Sequence, residues 1–246
     1  MNSSRSVGRR PKAASLSREA IVSAAVELLD EAGETGLTVR ALAARLHTGP
    51  GSIYWHVGDR QGLLDLACDA VLAGAAIGAP TAPGEAAGSA DEALAAVRSI
   101  GIGLFDALDA HPWAGVVLSR TSAVPSLLGA LDRIGQLLAE VGTPREARFH
   151  SATALLNYVL GVAAQMSRNA EAAAARDGAQ SQREWLEARS REWEAMGADR
   201  YPFLAEAAVD FRDHDDREQF IAGLDLLLAG IAASAGSAGE GGARVS

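Results

Sequence analysis

Residues 38–65 read TVRALAARLHTGPGSIYWHVGDRQGLLD. Val39, Leu42, Ala43 and Leu46 fall at helical spacing, so a short helix buries one narrow apolar face. The run His47-Thr48-Gly49-Pro50-Gly51 reads as a turn, because proline lacks the backbone donor and glycine permits a sharp reversal. A second short helix, residues 52–56, follows, and Gly58-Asp59 closes it. Two short helices joined by a glycine-bearing turn form a helix-turn-helix, whose second helix enters a major groove of DNA. The expectation is a chain that reads double-stranded DNA.

Upstream, Ser17 is a good N-cap for a first helix whose apolar stripe is Ile21, Ala25, Leu28 and Leu29, with Gly33 as its stop. Downstream, Asp59 caps a helix through Leu63, Leu64, Ala67, Val71 and Leu72. Residues 74–88, rich in Gly, Ala and Pro, read as a connection between domains. Helical spacing resumes at Asp91 and runs through Val97, Ile100, Leu104 and Leu108 to His111-Pro112. Further helices are expected over residues 113–120, 126–141 and 145–171, then a loop or frayed helix over 170–182. Trp185, Leu186, Trp193 and Met196 mark another amphipathic stretch, with the two tryptophans on one face, packed by default and a lid as the minority reading. Pro202 opens a helix reaching Phe211, residues 212–216 form a turn, and a last helix spans 217–233. No segment reads as a strand. The fold class is all-α. An N-terminal three-helix helix-turn-helix domain (17–65) follows a flexible basic arm (1–16). A larger helical domain (66–233) precedes a disordered tail (234–246).

Composition narrows the function classes. No run approaches the roughly 18 consecutive apolar residues of a membrane span, and the polar, basic N-terminus is not a secretory signal. Cys68 is the single cysteine, which leaves no internal disulfide and no thiolate metal cluster. A cytoplasmic protein is expected. The net charge of −9 is divided: residues 1–60 carry eight basic and six acidic side chains, the remainder fourteen and twenty-five. A basic end, chiefly Arg5, Arg9, Arg10, Lys12 and Arg18, can attract phosphate while the acidic body stays off DNA.

The segment from Ser17 to Gly33, the stretch Gly36-Leu37-Thr38-Val39-Arg40-Ala41-Leu42-Ala43, the run Ile53-Tyr54-Trp55-His56-Val57 and then Asp59-Arg60-Gln61-Gly62-Leu63-Leu64 resemble the DNA-binding domain of the tetracycline-repressor (TetR) family. A weaker echo lies in Tyr201-Pro202-Phe203-Leu204 and in residues 220–230, so the larger domain also resembles that of the tetracycline repressors. The resemblance implies that Arg40 reads a guanine and that Pro50, Ser52, Trp55 and His56 line the groove-facing side of the second helix. It gives phosphates to Thr38, Tyr54 and Arg60, while Arg9 and Arg10 suit a minor groove as a flexible basic arm. Gly49 and Pro50 stand where the family has Ser and a polar side chain, so the operator sequence does not carry over.

The same resemblance implies a homodimer joined through residues 145–171 and 217–233 of each copy. It also implies an effector cavity in the larger domain, whose ligand changes the spacing of the two DNA-reading heads. The candidate lining is Leu104, Phe105, Leu108, His111, Trp113, Val117, Leu118, Thr121, Ile134, Leu138, Asn157, Tyr158, Gly161 and Gln165. Asn157 and Gln165 stand out, because a buried amide needs partners. Tetracycline repressors hold a magnesium chelate with a His and a Glu; here Leu118 and Gln165 stand in those places, and leucine offers a hard cation no oxygen. A hydrophobic, metal-free effector is expected, and no cofactor. The overall expectation is a ligand-responsive repressor, against an architectural DNA-binding protein without an effector. An enzyme is disfavoured: the five histidines show no metal-ligand pairing, and Gly101-Ile102-Gly103 follows no strand.

Overall fold

The computed structural model describes residues 16–74, 88–120, 124–174 and 182–241. Eleven α-helices and one 3-10 helix account for the regular structure among these residues, without a strand. The chain divides into two compact units after Ala67.

In the first unit, the head, α1 (Arg18–Gly36) is capped by Ser17, whose hydroxyl accepts the Ala20 N–H at 3.1 Å. Gly33 breaks this helix, as expected. It takes φ 62° and ψ −170°, a region open to glycine, and the helix resumes beyond the kink as far as Gly36. Thr38 caps α2 (Val39–Arg45), with its Oγ1 accepting the Ala41 N–H at 3.1 Å. The turn to α3 (Pro50–Val57) is shorter than expected, because Pro50 and Gly51 belong to the helix. Proline at the first helical position loses no hydrogen bond, and its fixed φ suits the helix. The reversal is made by His47, at φ 50°. Gly58 at φ 78° ends α3, and Asp59 caps α4 (Arg60–Gly74) through the Gly62 N–H at 2.7 Å. Ile21, Ala25, Leu29, Leu42, Ile53 and Leu64 are almost wholly buried and form the core of the head.

The second unit, the body, is a helical bundle. It comprises α5 (Ala90–Ala110), α6 (Pro112–Leu118), α7 (Pro125–Glu140), α8 (Arg145–Ala174) and α11 (Asp216–Gly241). Ser89 caps α5, and proline opens α6 and α7. At the centre Phe220 of α11 stacks between Phe105 of α5, at 4.1 Å, and Tyr158 of α8, at 5.5 Å between ring centroids. Two bidentate ion pairs, Arg98 with Asp225 and Arg217 with Asp106, tie α5 to α11. Gly115 lets α6 approach α8: a β-carbon there meets the Ala163 backbone at 3.0 Å and the Ser167 hydroxyl at 2.8 Å.

Between α8 and α11 lie α9 (Gln182–Ala195), α10 (Pro202–Ala207) and the 3-10 helix Asp210–Asp213. Phe211 sits 4.4 Å from Trp193 and 6.1 Å from Trp185, so the two tryptophans pack on one shared ring. The buried Ser190 hydroxyl donates to the Ala208 carbonyl at 2.6 Å and accepts from Arg212 Nε at 2.9 Å.

Three helix ends in the second unit differ from the sequence reading. The helix opened by Pro202 stops at Ala207, and Phe211 belongs to the 3-10 turn. Helix α8 continues to Ala174, three residues past its expected end and into the stretch at 170–182 read as a loop or frayed helix. Helix α11 continues to Gly241, well past Ser234, where a disordered tail is expected. In these last two, alanine is the best helix former, and its propensity outweighs the scattered glycines. Finally, α11 is long and apolar enough by length and composition to cross a membrane, with mean hydropathy 1.5, although no such run stands out in the sequence. Its Phe220 and Leu224 are nevertheless wholly buried within the bundle. The expected connection at 75–87, the basic arm with Arg9 and Arg10, Thr121 and the last residues, 242–246, lie outside the described residues.

Candidate nucleic-acid interface

Helices α2 and α3 turn Leu42, Ala43, Ile53 and Val57 into the core of the head. That phase leaves Arg40, Pro50, Ser52 and Trp55 exposed together with the glycines of the turn. Trp55 is 84% exposed, the most open large hydrophobic side chain in the described chain. His56 is half-buried and meets the Trp55 ring edge-on at 5.0 Å. Of Tyr54, only the backbone in α3 is described.

Thr38 uses an oxygen lone pair to cap α2, and its hydroxyl proton is still available to a phosphate oxygen. Arg40, in the first turn of α2, makes no ion pair among the described residues. Arg60 is paired within the head. Its guanidinium donates to Glu34 Oε1 at 3.1 Å and to the Glu34 carbonyl at 2.6 Å. The resemblance assigns this cation to phosphate; the head spends it on the end of α1. A second brace absent from the sequence reading is Arg45, which bonds Glu27 at 3.2 Å and also Glu31. Its guanidinium is held above the usual arginine range, first by the Glu31 hydrogen bond. The sequence carries a signal for it: Glu27 and Glu31 stand four apart on one helical face, opposite an arginine closing the next helix. Glu19, in the first turn of α1, is held below the usual carboxylate range by a backbone hydrogen bond and by the Ser17 hydroxyl, with smaller effects from Arg18 and His56.

The body distributes its candidates differently. Leu104, Phe105, Leu108, Trp113, Val117, Leu118, Ile134 and Leu138 are all buried on α5, α6 and α7. His111 is half-buried, edge-on to Trp113 at 6.2 Å. Tyr158 is half-buried; its hydroxyl donates to the Phe220 carbonyl at 3.0 Å, and burial pushes its pKa up. Asn157, Gly161 and Gln165, by contrast, are exposed on the single chain. Neither amide is buried on the single chain. The buried face of α8 is Ala152, Leu155, Leu156, Val159, Ala163 and Ala164. Alanine occurs on both sides of this helix, so its phase is poorly marked in the sequence. One open groove of about 380 Å³ lies between α7 and α8 over Leu131, Gly135, Ala139, Phe149 and Ala152, and shares no residue with the expected lining.

These features match those of known proteins. Residues 21–67 fit the family described as bacterial regulatory proteins, tetR family, and residues 87–235 fit the tetracyclin repressor-like C-terminal domain. An HTH-type transcriptional regulator from Saccharopolyspora erythraea is 34% identical over 90% of this chain and 86% of its own length. The solved transcriptional regulator SCO7222 from Streptomyces coelicolor, a TetR, superposes with TM-score 0.74 at 41% identity, covering 89% of this chain and 99% of that one. The S. coelicolor TetR family protein ActR, solved in complex with actinorhodin, superposes with TM-score 0.73 at 27% identity over 92% and 99% of the two chains. With both family models matched and a helix-turn-helix exposing its reading face, the chain belongs to the tetracycline-repressor (TetR) family of DNA-binding transcriptional regulators.

Proposed function

We propose that the protein is a cytoplasmic, ligand-responsive repressor that binds a palindromic operator as a homodimer and is released by a hydrophobic small molecule. The observation that carries the DNA half of this reading is the exposed face of α2 and α3, with Arg40, Pro50, Ser52 and Trp55 outside a closed core. Arg40 reads a base edge, and Thr38, with Tyr54, secures the backbone. Arg9 and Arg10 add sequence-independent attraction.

Two copies meet through α8 and α11. Support comes from the faces these helices leave uncovered: Ala154, Asn157, Gly161 and Gln165 on α8, and Ala222, Leu226, Ala229 and Gly230 on α11. Leu226 is 75% exposed on the single chain, and small residues allow two such helices to approach closely. On this reading Asn157 and Gln165 lie on that face. The effector belongs among α5, α6, α7 and the inner face of α8, and the solved complex of ActR with actinorhodin supports a small-molecule effector. Leu118 is buried and apolar and Gln165 faces outward, which favours a hydrophobic ligand over a magnesium chelate. Such a ligand acts only through unequal affinities for the DNA-bound and released states.

The test is selection of genomic DNA fragments by the purified protein at near-physiological salt. One enriched palindrome, with half-sites about 34–36 Å apart along the duplex, is the expected result. Retention of all DNA at low salt only would favour an architectural protein without an operator.

A further inference from the structure

The end of α1 is broken at Gly33, and Arg45 and Arg60 bond it on opposite sides of the break. Upstream, Arg45 from the end of α2 spans Glu27 and Glu31. Downstream, Arg60 from the start of α4 takes the Glu34 side chain and the Glu34 carbonyl. We infer that Arg60 is a positioning residue, which with Arg45 sets the kinked end of α1 and hence the placement of Arg40, and that it is not a phosphate contact. The proposal rests on the head being the DNA-reading unit.

The chain geometry gives the lever. After Glu34 come Thr35 and Gly36, then Leu37, 2% exposed, then Thr38 as the cap of α2 and Arg40 in its first turn. A glycine at positive φ is the softest point of this path, because no β-carbon confines it. Fixing Glu34 removes that freedom just ahead of the base-reading helix. The last carbonyls of a helix lack intrahelical partners, and the guanidinium satisfies one of them. Arginine suits the task because its planar fork binds two acceptors at once and so sets an orientation, which lysine does not.

Electrostatics argues the same way. A guanidinium already on a carboxylate attracts a phosphate weakly. Moving it to a phosphate would give up both of its bonds to Glu34. Both pairs are substantially exposed, and such pairs contribute little to global stability. Their effect belongs in the preorganisation of the reading face, which binding would otherwise have to supply.

Neutralising Glu34 separates the two roles, because they predict opposite signs. The probe is the genomic DNA fragment that the wild-type protein itself enriches, titrated with wild type, E34Q and R60Q over a range of salt. A positioning role predicts that E34Q and R60Q each weaken binding on the order of three- to tenfold, as members of one hydrogen-bonded network, with the wild-type salt slope kept. A phosphate contact predicts that E34Q binds equally or more tightly while R60Q lowers the salt slope by about one; that result overturns the proposal. A second readout needs no DNA. Hydrogen exchange at the Ala41 and Leu42 amides, which bond Thr38, should quicken in both variants while the thermal midpoint holds. Unchanged exchange in both variants overturns the brace, whatever the head binds.

Discussion

The head buries Leu42 and Ile53 and leaves Arg40, Ser52 and Trp55 outside, so core residues and the proposed reading residues occupy different faces of the same short helices. In the body the division is lost. Phe105, Leu118 and Ile134, candidates for an effector, are buried among ordinary core residues, and Asn157 and Gln165 lie on the surface. A site displayed over a closed core can be assigned by helical phase alone. A site inside a core consists of the same side chains as the core, and only the space between them distinguishes it.

The largest expected effect tests how far the body depends on that interior. Phe220→Ala removes the ring stacked between Phe105 and Tyr158 and should cost about 3–5 kcal/mol, read as a fall in thermal midpoint; a loss below 1 kcal/mol would show the stack to be incidental. In the head, Arg40→Ala should leave that midpoint in place and weaken operator binding by about 1–3 kcal/mol, relaxing preference at one base pair. Equal weakening on every sequence would make Arg40 a phosphate ligand. On the outer face of α11, Leu226→Glu should weaken self-association by at least roughly tenfold, about 1.4 kcal/mol, measured by sedimentation; an unchanged dimer would remove that face from the interface. His47→Gly should stabilise the head by about 0.5–1 kcal/mol, because an L-residue in the left-handed region is strained. A loss instead would mean that the imidazole makes a contact of its own. Smallest of all, Gln165→Ala should leave the effector dose-response of DNA release unchanged, since its side chain faces outward. A shifted response would return Gln165 to the cavity.

How much could be read in advance follows from the same contrast. Ser17 and Asp59 cap their helices as expected, because a cap depends on residues three apart. Proline's place within α3 and the short helix after Pro202 were harder, since proline both ends and begins helices. The pairing of Arg45 with Glu27 and Glu31 was half legible from i,i+4 spacing. That of Arg60 with Glu34 was not, because the two are 26 residues apart and meet only once the head has folded.

Local order was therefore determined by the sequence itself: an all-helical chain, a helix-turn-helix between Thr38 and Val57, and the helical face that carries Arg40 and Trp55. These follow from periodicity, caps and turn residues, which act over a few positions. Tertiary structure alone decided which face of α8 is buried, where the Arg60 cation goes, and that Phe220 joins α5, α8 and α11. Burial and charge pairing depend on neighbours distant in sequence, and an alanine-rich helix offers its own residues too little contrast to choose between them.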